Sequence, residues 1–365
     1  MVKINSIPAR ASIKKFLYRV QEQLLPLLAV PVALVIGAGM LLALHADPLQ
    51  AYGYMLQGAF GSVSGITQTL VKATPLLLVG LGVVIAFRGG VINIGGEGQI
   101  LMGALATSAL AVSVPTWPGF ILLPLCLLAG ALAGALWGGI PGILKARLGV
   151  NEILSTVMMN AIAMLVVDYF LTGPLLDPQE IANGTRIAQS ALLPNRTWLA
   201  RLVPQTLLNS GAIIALVLAF LVYIFLWRTT IGYRIRAVGL NPIAARYAGI
   251  PVRIYQALSL VLGGTFAGLA GAIEVLGVQH RMLEGLSSGY GFTGIVAALF
   301  GNLHPLGLIP ASILFGGMLV GGNEMQRSMQ VPSSLIDTLS GLIVLLVIAS
   351  KIWATRQARR REINE

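Results

Sequence analysis

The sequence predicts an all-α polytopic membrane protein with about ten transmembrane helices, within a range of eight to ten. Of the 365 residues, 56% are hydrophobic and only 10% are charged, whereas about 25% of the residues in ordinary soluble domains are charged. The 43 glycines suit helices that approach one another closely in a bilayer. Apolar runs of about 20 residues, long enough to cross a membrane, recur along the chain.

The predicted membrane domain covers residues 24–353 and is flanked by basic ends. Residues 1–23 are the predicted cytoplasmic N-terminal segment. Its basic part, Met1–Arg19, is too long and too polar for a secretory signal, and no small-residue cleavage site follows the apolar stretch Gln23–Leu44. That stretch is therefore predicted to be a retained first span, and residues 354–365 a basic tail. The predicted spans are 24–45, 66–87, 97–114, 120–144, 152–172, 206–227, 254–278, 289–303, 305–323 and 335–353.

The distribution of lysine and arginine predicts that both termini are cytoplasmic. Most basic residues then lie inside, notably in the two ends and in loop 228–253, while the polar loop 173–204 lies outside. The ten-span count is partly chosen to fit this distribution, so the two agree without being independent. The net charge of +11 accordingly indicates contact with the anionic inner face of a bilayer, with no nucleic acid partner.

Loop 228–253 is basic and contains a predicted helix of about two turns. Arginines 228, 234, 236, 246 and 253 occur in it without one acidic residue. Asn241 suits an N-cap, Pro242 the first helical position, and Gly249 the helix end. Small and aromatic side chains give this helix a shape as well as a charge, so it is predicted to dock a cytoplasmic partner through Asn241, Pro242, Ala244, Ala245, Arg246 and Tyr247.

The residues that most enzymes require are not recognisable in the sequence. It contains no Walker A pattern for ATP and no nucleophile elbow. The single cysteine, Cys126, and three scattered histidines offer no disulfide framework or metal site. No catalytic residue and no cofactor are therefore expected in this chain.

Polar side chains inside apolar sequence are the remaining functional candidates, because they are costly in a membrane. Asn93, Glu97 and Gln99 lie among glycines, where an interrupted helix would expose them to a translocation pathway or gate. The alternative is a tight turn with interfacial side chains that glycine permits.

A second group lies at helical spacing and has two open interpretations. Glu152, Ser155 and Thr156 share one helix face with Asn160, and Asn151 precedes them. The stripe would line a pore or bond neighbouring helices together. A third group ends a predicted span on the outer side and consists of Glu274, Gln279, His280, Arg281 and Glu284. It is interpreted as a solvated loop, and the alternative is a gate or a partner contact.

Two glycine-rich polar stretches resemble each other. Residues 93–106 and 288–300 each run into a helix of small residues, about five spans apart. The topology above would orient them in opposite directions, as in the inverted repeats of transporters. Chance similarity is the alternative, since glycine, alanine and leucine dominate the chain.

Four motifs follow one another along the chain: Phe87-Arg-Gly-Gly-Val-Ile-Asn-Ile-Gly-Gly-Glu-Gly-Gln99, Gly149-Val-Asn-Glu-Ile-Leu-Ser-Thr-Val-Met-Met-Asn160, Gly232-Tyr-Arg-Ile-Arg-Ala-Val-Gly-Leu-Asn-Pro242 and Gly289-Tyr-Gly-Phe-Thr-Gly-Ile-Val-Ala-Ala-Leu-Phe-Gly-Asn302. In this order they resemble the inner-membrane permeases of bacterial ABC importers of the ribose and branched-chain amino acid type. Within that family the sequence is most similar to the larger permease of nucleoside and simple-sugar importers.

The resemblance implies a subunit that forms the pathway for a nucleoside or simple sugar in the bacterial cytoplasmic membrane. It implies a second permease, most simply a different chain, two cytoplasmic ATPases that bind ATP and Mg²⁺, and a periplasmic or lipoprotein binding protein. The helix at Asn241–Ala248 would be the coupling helix that sits on the ATPase. Asn93, Glu97, Gln99, Asn151, Thr156 and Asn160 would line the pathway, whose substrate affinity would reside mainly in the binding protein.

Other functions stay open at this point. Within the ABC class the substrate would otherwise be a monosaccharide or a branched-chain amino acid. An ion-coupled secondary transporter would share the repeat and the embedded polar residues, with Asp168 and Glu97 as relay candidates, yet neither has a charged companion nearby in sequence. A channel would not require the coupling-type loop.

Overall fold

The computed structural model describes residues 31–332 and, beyond them, residues 334, 335, 338, 341, 342, 345, 346 and 349. The predicted cytoplasmic segment 1–23, the beginning of the first predicted span, much of the tenth and the basic tail 354–365 lie outside the described residues.

The described residues form helices joined by loops, with isolated β-bridges in place of a sheet, so the all-α prediction is confirmed for them. The helices are α1 (described over Pro31–Ala43), α2 (Pro48–Phe60), α3 (Val63–Arg88), α4 (Gly96–Ser113), α5 (Gly119–Ile143), α6 (Glu152–Thr172), α7 (Pro178–Asn183), α8 (Gly211–Arg228), α9 (Thr230–Leu240), α10 (Pro242–Tyr247), α11 (Val252–Glu274), α12 (Tyr290–Phe300) and α13 (Pro305–Met329). Single π-helical turns extend α5 through Leu144–Leu148 and α11 through Val275–Gln279.

Six of these helices are long and apolar enough to cross a membrane: α3, α5, α6, α8, α11 and α13, where the span of α5 and that of α11 include the π-helical turns. The first predicted span is followed by a second helix that sequence reasoning missed, since α1 and α2 meet at 118°. The third predicted span, which corresponds to α4, is not among these six, and neither is the eighth predicted span. Its helix, α12, has eleven residues and is about 16 Å long at 1.5 Å per residue, half the thickness of a bilayer core.

Two compact units divide the chain. Leu56–Gly321 form one of them, and its central element is α3, which is buried without a break from Ala73 to Ala86. Within this unit α5 and α11 approach closely through small residues: a Cβ on Gly134 would lie 2.2 Å from the carbonyl oxygen of Gly264. The other unit contains α1 and most of α2, where the Tyr52 hydroxyl donates to the Leu34 carbonyl at 2.6 Å.

The segment between α6 and α8 is fastened to the chain after α11. Backbone hydrogen bonds run from Ser190 to Met282 at 2.9 Å, from Leu193 to His280 at 2.8 Å, and from Leu199 to Leu276 at 3.0 Å. The predicted external loop is therefore an ordered lobe, with α7 and the 3-10 turn Asn195–Thr197 in it.

Candidate functional site

The starts of α4 and α12 meet inside the larger unit, and we call this meeting point the helix junction. The chain is not helical over residues 89–95 before α4, and Gly289 precedes α12 in the left-handed conformation with φ +79°. The Gly291 amide donates to Glu97 Oε1 at 2.9 Å. A carboxylate in the first turn of α4 thus caps the first turn of α12, where free amides and the helix dipole favour negative charge.

Only glycine fits at the junction. A Cβ on Gly291 would lie 2.3 Å from the Glu97 amide nitrogen, and a Cβ on Gly96 would lie 3.1 Å from Gly291 Cα. The two stretches that resemble each other in sequence, 93–106 and 288–300, are therefore in direct backbone contact at their helix starts.

The polar residues around the junction are buried and bonded to one another. Asn93 and Gln99 exchange two side-chain hydrogen bonds, at 3.1 and 3.2 Å. Asn160 accepts from the Gly98 amide at 2.9 Å and donates to the Ile94 carbonyl at 3.0 Å. These contacts fix the non-helical segment before α4 against α6.

The predicted second group separates in the structure. Thr156 is buried and accepts from the Ile94 amide at 3.4 Å. Thr156 and Asn160 therefore make hydrogen bonds to a neighbouring segment, as expected if the stripe bonds helices together. Asn151 is exposed and caps α6 by accepting from the Ile153 amide at 2.9 Å. Glu152 forms an ion pair with Lys145 at 2.7 Å.

Three charged or phenolic residues that sequence reasoning did not connect lie beside the junction. Lys72 Nζ donates to the Tyr290 hydroxyl at 2.6 Å and lies 5.2 Å from the centre of its ring. Tyr290, the first residue of α12, interacts electrostatically with Glu97 and Glu274. A lysine inside a predicted span was the available sequence signal.

The solvated-loop interpretation of the third group is wrong for Glu274 and correct for Glu284. Glu274 is 2% exposed in the last turn of α11, because that helix continues through a further π-helical turn and keeps this carboxylate in the core. Glu284 is exposed in the following loop.

The predicted docking helix is present as α10. The Asn241 side chain caps it by accepting from the Ile243 and Ala244 amides, both at 3.0 Å, and Gly249 has φ +77°. Tyr247 is 91% exposed, and only Ala245 of this helix is buried. A second helix in the same loop, α9, was not predicted.

Helix α9 packs on the end of α3, next to the non-helical segment that leads to the junction. A Cβ on Gly239 would lie 2.1 Å from the Arg88 carbonyl oxygen, and Gly90, with φ +72°, contacts Gly239 Cα. The guanidinium groups of Arg88 and Arg236 both lie over the ring of Trp227, at the end of α8, 5.6 and 5.4 Å from its centre. Helix α9 is therefore packed directly against the turn after α3.

Two histidines at the ends of the bundle each lie beside a tryptophan. His280 stacks on Trp198 with ring centres 3.8 Å apart, and burial, followed by the nearby Arg201 charge, lowers the pKa of its imidazole. His304 lies 4.9 Å from the Trp227 ring, and burial with the Arg88 charge lowers the pKa of His304.

Comparison with known proteins gives one family and several relatives. The family described as "Branched-chain amino acid transport system / permease component" matches residues 65–348. The guanosine ABC transporter permease NupP of Bacillus subtilis is 38% identical over 91% of this chain and 94% of its own length. The glucose ABC transporter permease TsgB13 of Haloferax volcanii is 36% identical, over 90% and 87%. A second guanosine permease of the Bacillus, NupQ, is 30% identical, over 69% and 79%.

Proposed function

We propose that this chain imports a nucleoside as the multi-pass membrane permease of an ABC transporter. It belongs to the family of permease components of the branched-chain amino acid transport system type. The observation that carries this proposal is the 38% identity to a guanosine permease over nearly the whole of both chains. The 36% identity to a glucose permease makes a monosaccharide the second candidate.

The proposed topology has ten membrane crossings and two cytoplasmic ends, in a bacterial cytoplasmic membrane. The basic loop with α9 and α10 then faces the cytoplasm, and the lobe 173–204 faces outward. The helices α4 and α12 contribute as discontinuous elements that start at the helix junction, one directed outward and one inward, as two inverted halves would be.

Transport would be driven by a separate ATPase subunit, which would bind ATP and Mg²⁺. Support comes from the exposed, capped helix α10, whose residues Asn241, Pro242, Ala244, Arg246 and Tyr247 are accessible while Ala245 anchors it. When the ATPases close, α10 would move with them. Helix α9 would pass this motion to the turn at Gly90 and so to the junction.

The proposed pathway passes the helix junction. Asn93, Gln99, Thr156 and Asn160 would hold the closed state together through the hydrogen bonds described above, and would become accessible when α4 and α12 separate. Glu97 would act as the latch between the two helix starts, and Asn151 would lie at the inner opening. The side chains of Asn93, Gln99, Thr156 and Asn160 are hydrogen-bonded within the protein in the closed state. Opening would therefore exchange these hydrogen bonds for bonds to water or solute.

The proposed assembly contains a second permease and a binding protein outside the membrane. The Bacillus pair NupP and NupQ, both similar to this chain and both named guanosine permeases, support a partner that is a different chain. The ordered external lobe supports a docking surface for the binding protein.

Reconstitution tests the proposal. The complete importer is placed in liposomes, with ATP on the side of the membrane that the ATPase subunits face. It should take up radiolabelled guanosine. Unlabelled nucleosides should compete with this uptake, and glucose and leucine should compete weakly. Uptake driven by an ion gradient with a catalytically inactive ATPase would instead support a secondary transporter. ATP-dependent uptake of glucose but not guanosine would favour the second candidate.

A further inference from the structure

A polar stripe on α3 leads to the helix junction from the start of that helix. Ser64 and Gln68 are exposed and Lys72 is half-buried, and residues four apart lie on one helix face. After Lys72 every residue of α3 is buried through Ala86. At 1.5 Å per residue, Lys72 lies about 14 Å along the axis from the start of α3, which is the outer end in the proposed topology.

The stripe ends on a cation that has unused donors. An ammonium group has three N–H donors, and Lys72 directs one to Tyr290 at 2.6 Å. No carboxylate oxygen of the described residues lies within 4 Å of Lys72. The ion pair that the described residues form joins two other side chains, Lys145 and Glu152. Glu274 interacts with Lys72 only electrostatically, at longer range.

An unused acceptor lies at the start of α12, where Glu97 contacts Gly291. Glu97 is 2% exposed, and its Oε2 atom has no hydrogen-bond partner among the described residues, although Ser287 is nearby. Its Oε1 atom caps α12 at Gly291. Buried polar groups normally have partners. Lys72 contacts Tyr290 and Glu97 contacts Gly291, so spare donors and an orphaned carboxylate oxygen at the start of one helix indicate a group that is supplied from elsewhere.

We infer that Lys72, with Tyr290 and Glu97, is the contact site for the hydroxyl groups of a neutral, hydroxyl-rich solute on the outer half of the pathway. A hydroxyl both donates and accepts, and the site offers both complements. A ribose or hexose ring supplies several such groups, whereas an aliphatic side chain would satisfy neither Lys72 nor Glu97. This inference rests on the proposed function, because it names the part of the imported solute that the permease recognises.

The contact would also open the junction. A solute oxygen that replaces the Tyr290 hydroxyl as the acceptor of Lys72 releases the first residue of α12, the helix whose start Glu97 caps. Solute hydroxyls that then donate to the free Oε2 atom of Glu97 bind the same carboxylate whose Oε1 atom caps Gly291. Solute arrival and separation of α4 from α12 are thereby coupled through one short chain of hydrogen bonds.

A double-substitution cycle on protein and solute tests the inference. The complete importer in liposomes is supplied with preloaded binding protein, and initial uptake is measured for guanosine, 2′-deoxyguanosine and 3′-deoxyguanosine with the native permease and with Lys72→Met. If glucose is the transported solute, deoxyglucoses replace the nucleosides. The binding protein is the same in every arm, so its own discrimination cancels.

The native permease should take up at least one deoxy analogue several-fold more slowly, and Lys72→Met should lower guanosine uptake at least ten-fold while reducing that deoxy penalty to less than two-fold. Lys145→Met, a lysine at the opposite end of the bundle, should leave the penalty unchanged. Lys72→Gln, which keeps a donor, is the second variant if Lys72→Met does not assemble.

Two results would overturn the inference. In one, Lys72→Met and Lys72→Gln transport guanosine and its analogues at native rates. In the other, uptake falls equally for all solutes, which identifies Lys72 as a structural counter-charge for Glu274. Absence of ATP-dependent uptake of nucleosides and of glucose by the native importer overturns the proposed function itself, before any variant is compared.

Discussion

Glu97 Oε1 accepts a 2.9 Å hydrogen bond from the Gly291 amide, although the two residues are far apart in the chain and belong to different helices. One carboxylate thus belongs to the first turn of α4 and caps the first turn of α12. Each helix start presents backbone amides without a partner in the helix. The Glu97 carboxylate accepts from one of these amides, that of Gly291, and so holds the two helix starts together.

Removal of this cap should destabilise the permease. Glu97→Ala should lower the free energy of unfolding by about 1–2 kcal/mol, the usual loss for a helix cap or a hydrogen bond to a charged group. Glu97→Gln should lose less, because its carbonyl oxygen still accepts from Gly291. The thermal midpoint of the purified complex in detergent measures both. Equal midpoints for Glu97→Ala and the native chain would contradict the capping role.

Gly291→Ala should be more damaging than its size suggests. Its Cβ would lie 2.3 Å from the Glu97 amide nitrogen, so α4 and α12 must move apart. We expect a lower thermal midpoint and impaired uptake. Gly53→Ala is the matched control, since a Cβ there has no atom within 4 Å, and a comparable drop in that variant would show that the effect is not specific to the junction.

Gly239→Ala should uncouple ATP hydrolysis from transport. A Cβ would collide with the Arg88 carbonyl oxygen at 2.1 Å and displace α9 from the end of α3, while α10 keeps its exposed surface. The ATPase should therefore still co-purify, and uptake should fall at least ten-fold. Native uptake at native ATPase rates would show that α9 does not transmit the motion.

Charge reversal on α10 should break ATPase docking. Arg246 and Tyr247 are both exposed, so Arg246→Glu with Tyr247→Glu changes a surface without disturbing the core. Co-purification of the ATPase and uptake should both fall more than ten-fold. Arg186→Glu, on the external lobe, serves as the control and should leave ATPase binding intact. If docking survives the α10 double variant, the loop serves only to orient the chain.

Acidification should loosen the contact between the lobe 173–204 and the end of α11. Burial lowers the pKa of His280 below its ordinary value near 6.5, so the folded state favours neutral imidazole. Its contribution to stability is complete above about pH 6.5 and is lost as the pH falls through the folded pKa. The thermal midpoint should drop between pH 7.5 and 5.5, and should drop less in His280→Gln. The exposed His45→Gln variant should retain the full pH response.

Cysteine labelling should distinguish a gate from permanent structure. Asn160 is 5% exposed, and the native Cys126 is buried and is replaced by alanine for this experiment. A cysteine at Asn160 should react with a small polar thiol reagent during turnover and stay protected without nucleotide, while a cysteine at the exposed Asn151 should react in both states. Protection of position 160 throughout the cycle would remove it from the pathway.

Local patterns in the sequence were sufficient for α10 and for most of the long helices. The cap at Asn241 and the end at Gly249 follow from neighbouring residues, because capping involves atoms only two or three positions apart. Helices α2 and α9 were missed, since neither is an apolar run of membrane length and each is defined by its packing.

The candidate site depended more heavily on the tertiary structure. Asn93, Glu97 and Asn160 were identified as polar residues in apolar sequence, but their partners were not, since a hydrogen bond between Glu97 and Gly291 leaves no local trace in the chain. Lys72, Tyr290 and Glu274 likewise lie on three different helices, and no spacing rule connects them.

Hydropathy, charge and capping are properties of contiguous residues, so the membrane class, the positions of the long apolar helices and the capped basic loop could be read without a fold. The meeting of the starts of α4 and α12, the role of Glu97 at both and the place of Lys72 next to them could not. Buried polar groups take their partners from whichever helix packing brings within about 3 Å. That choice is made by the packing of the whole bundle.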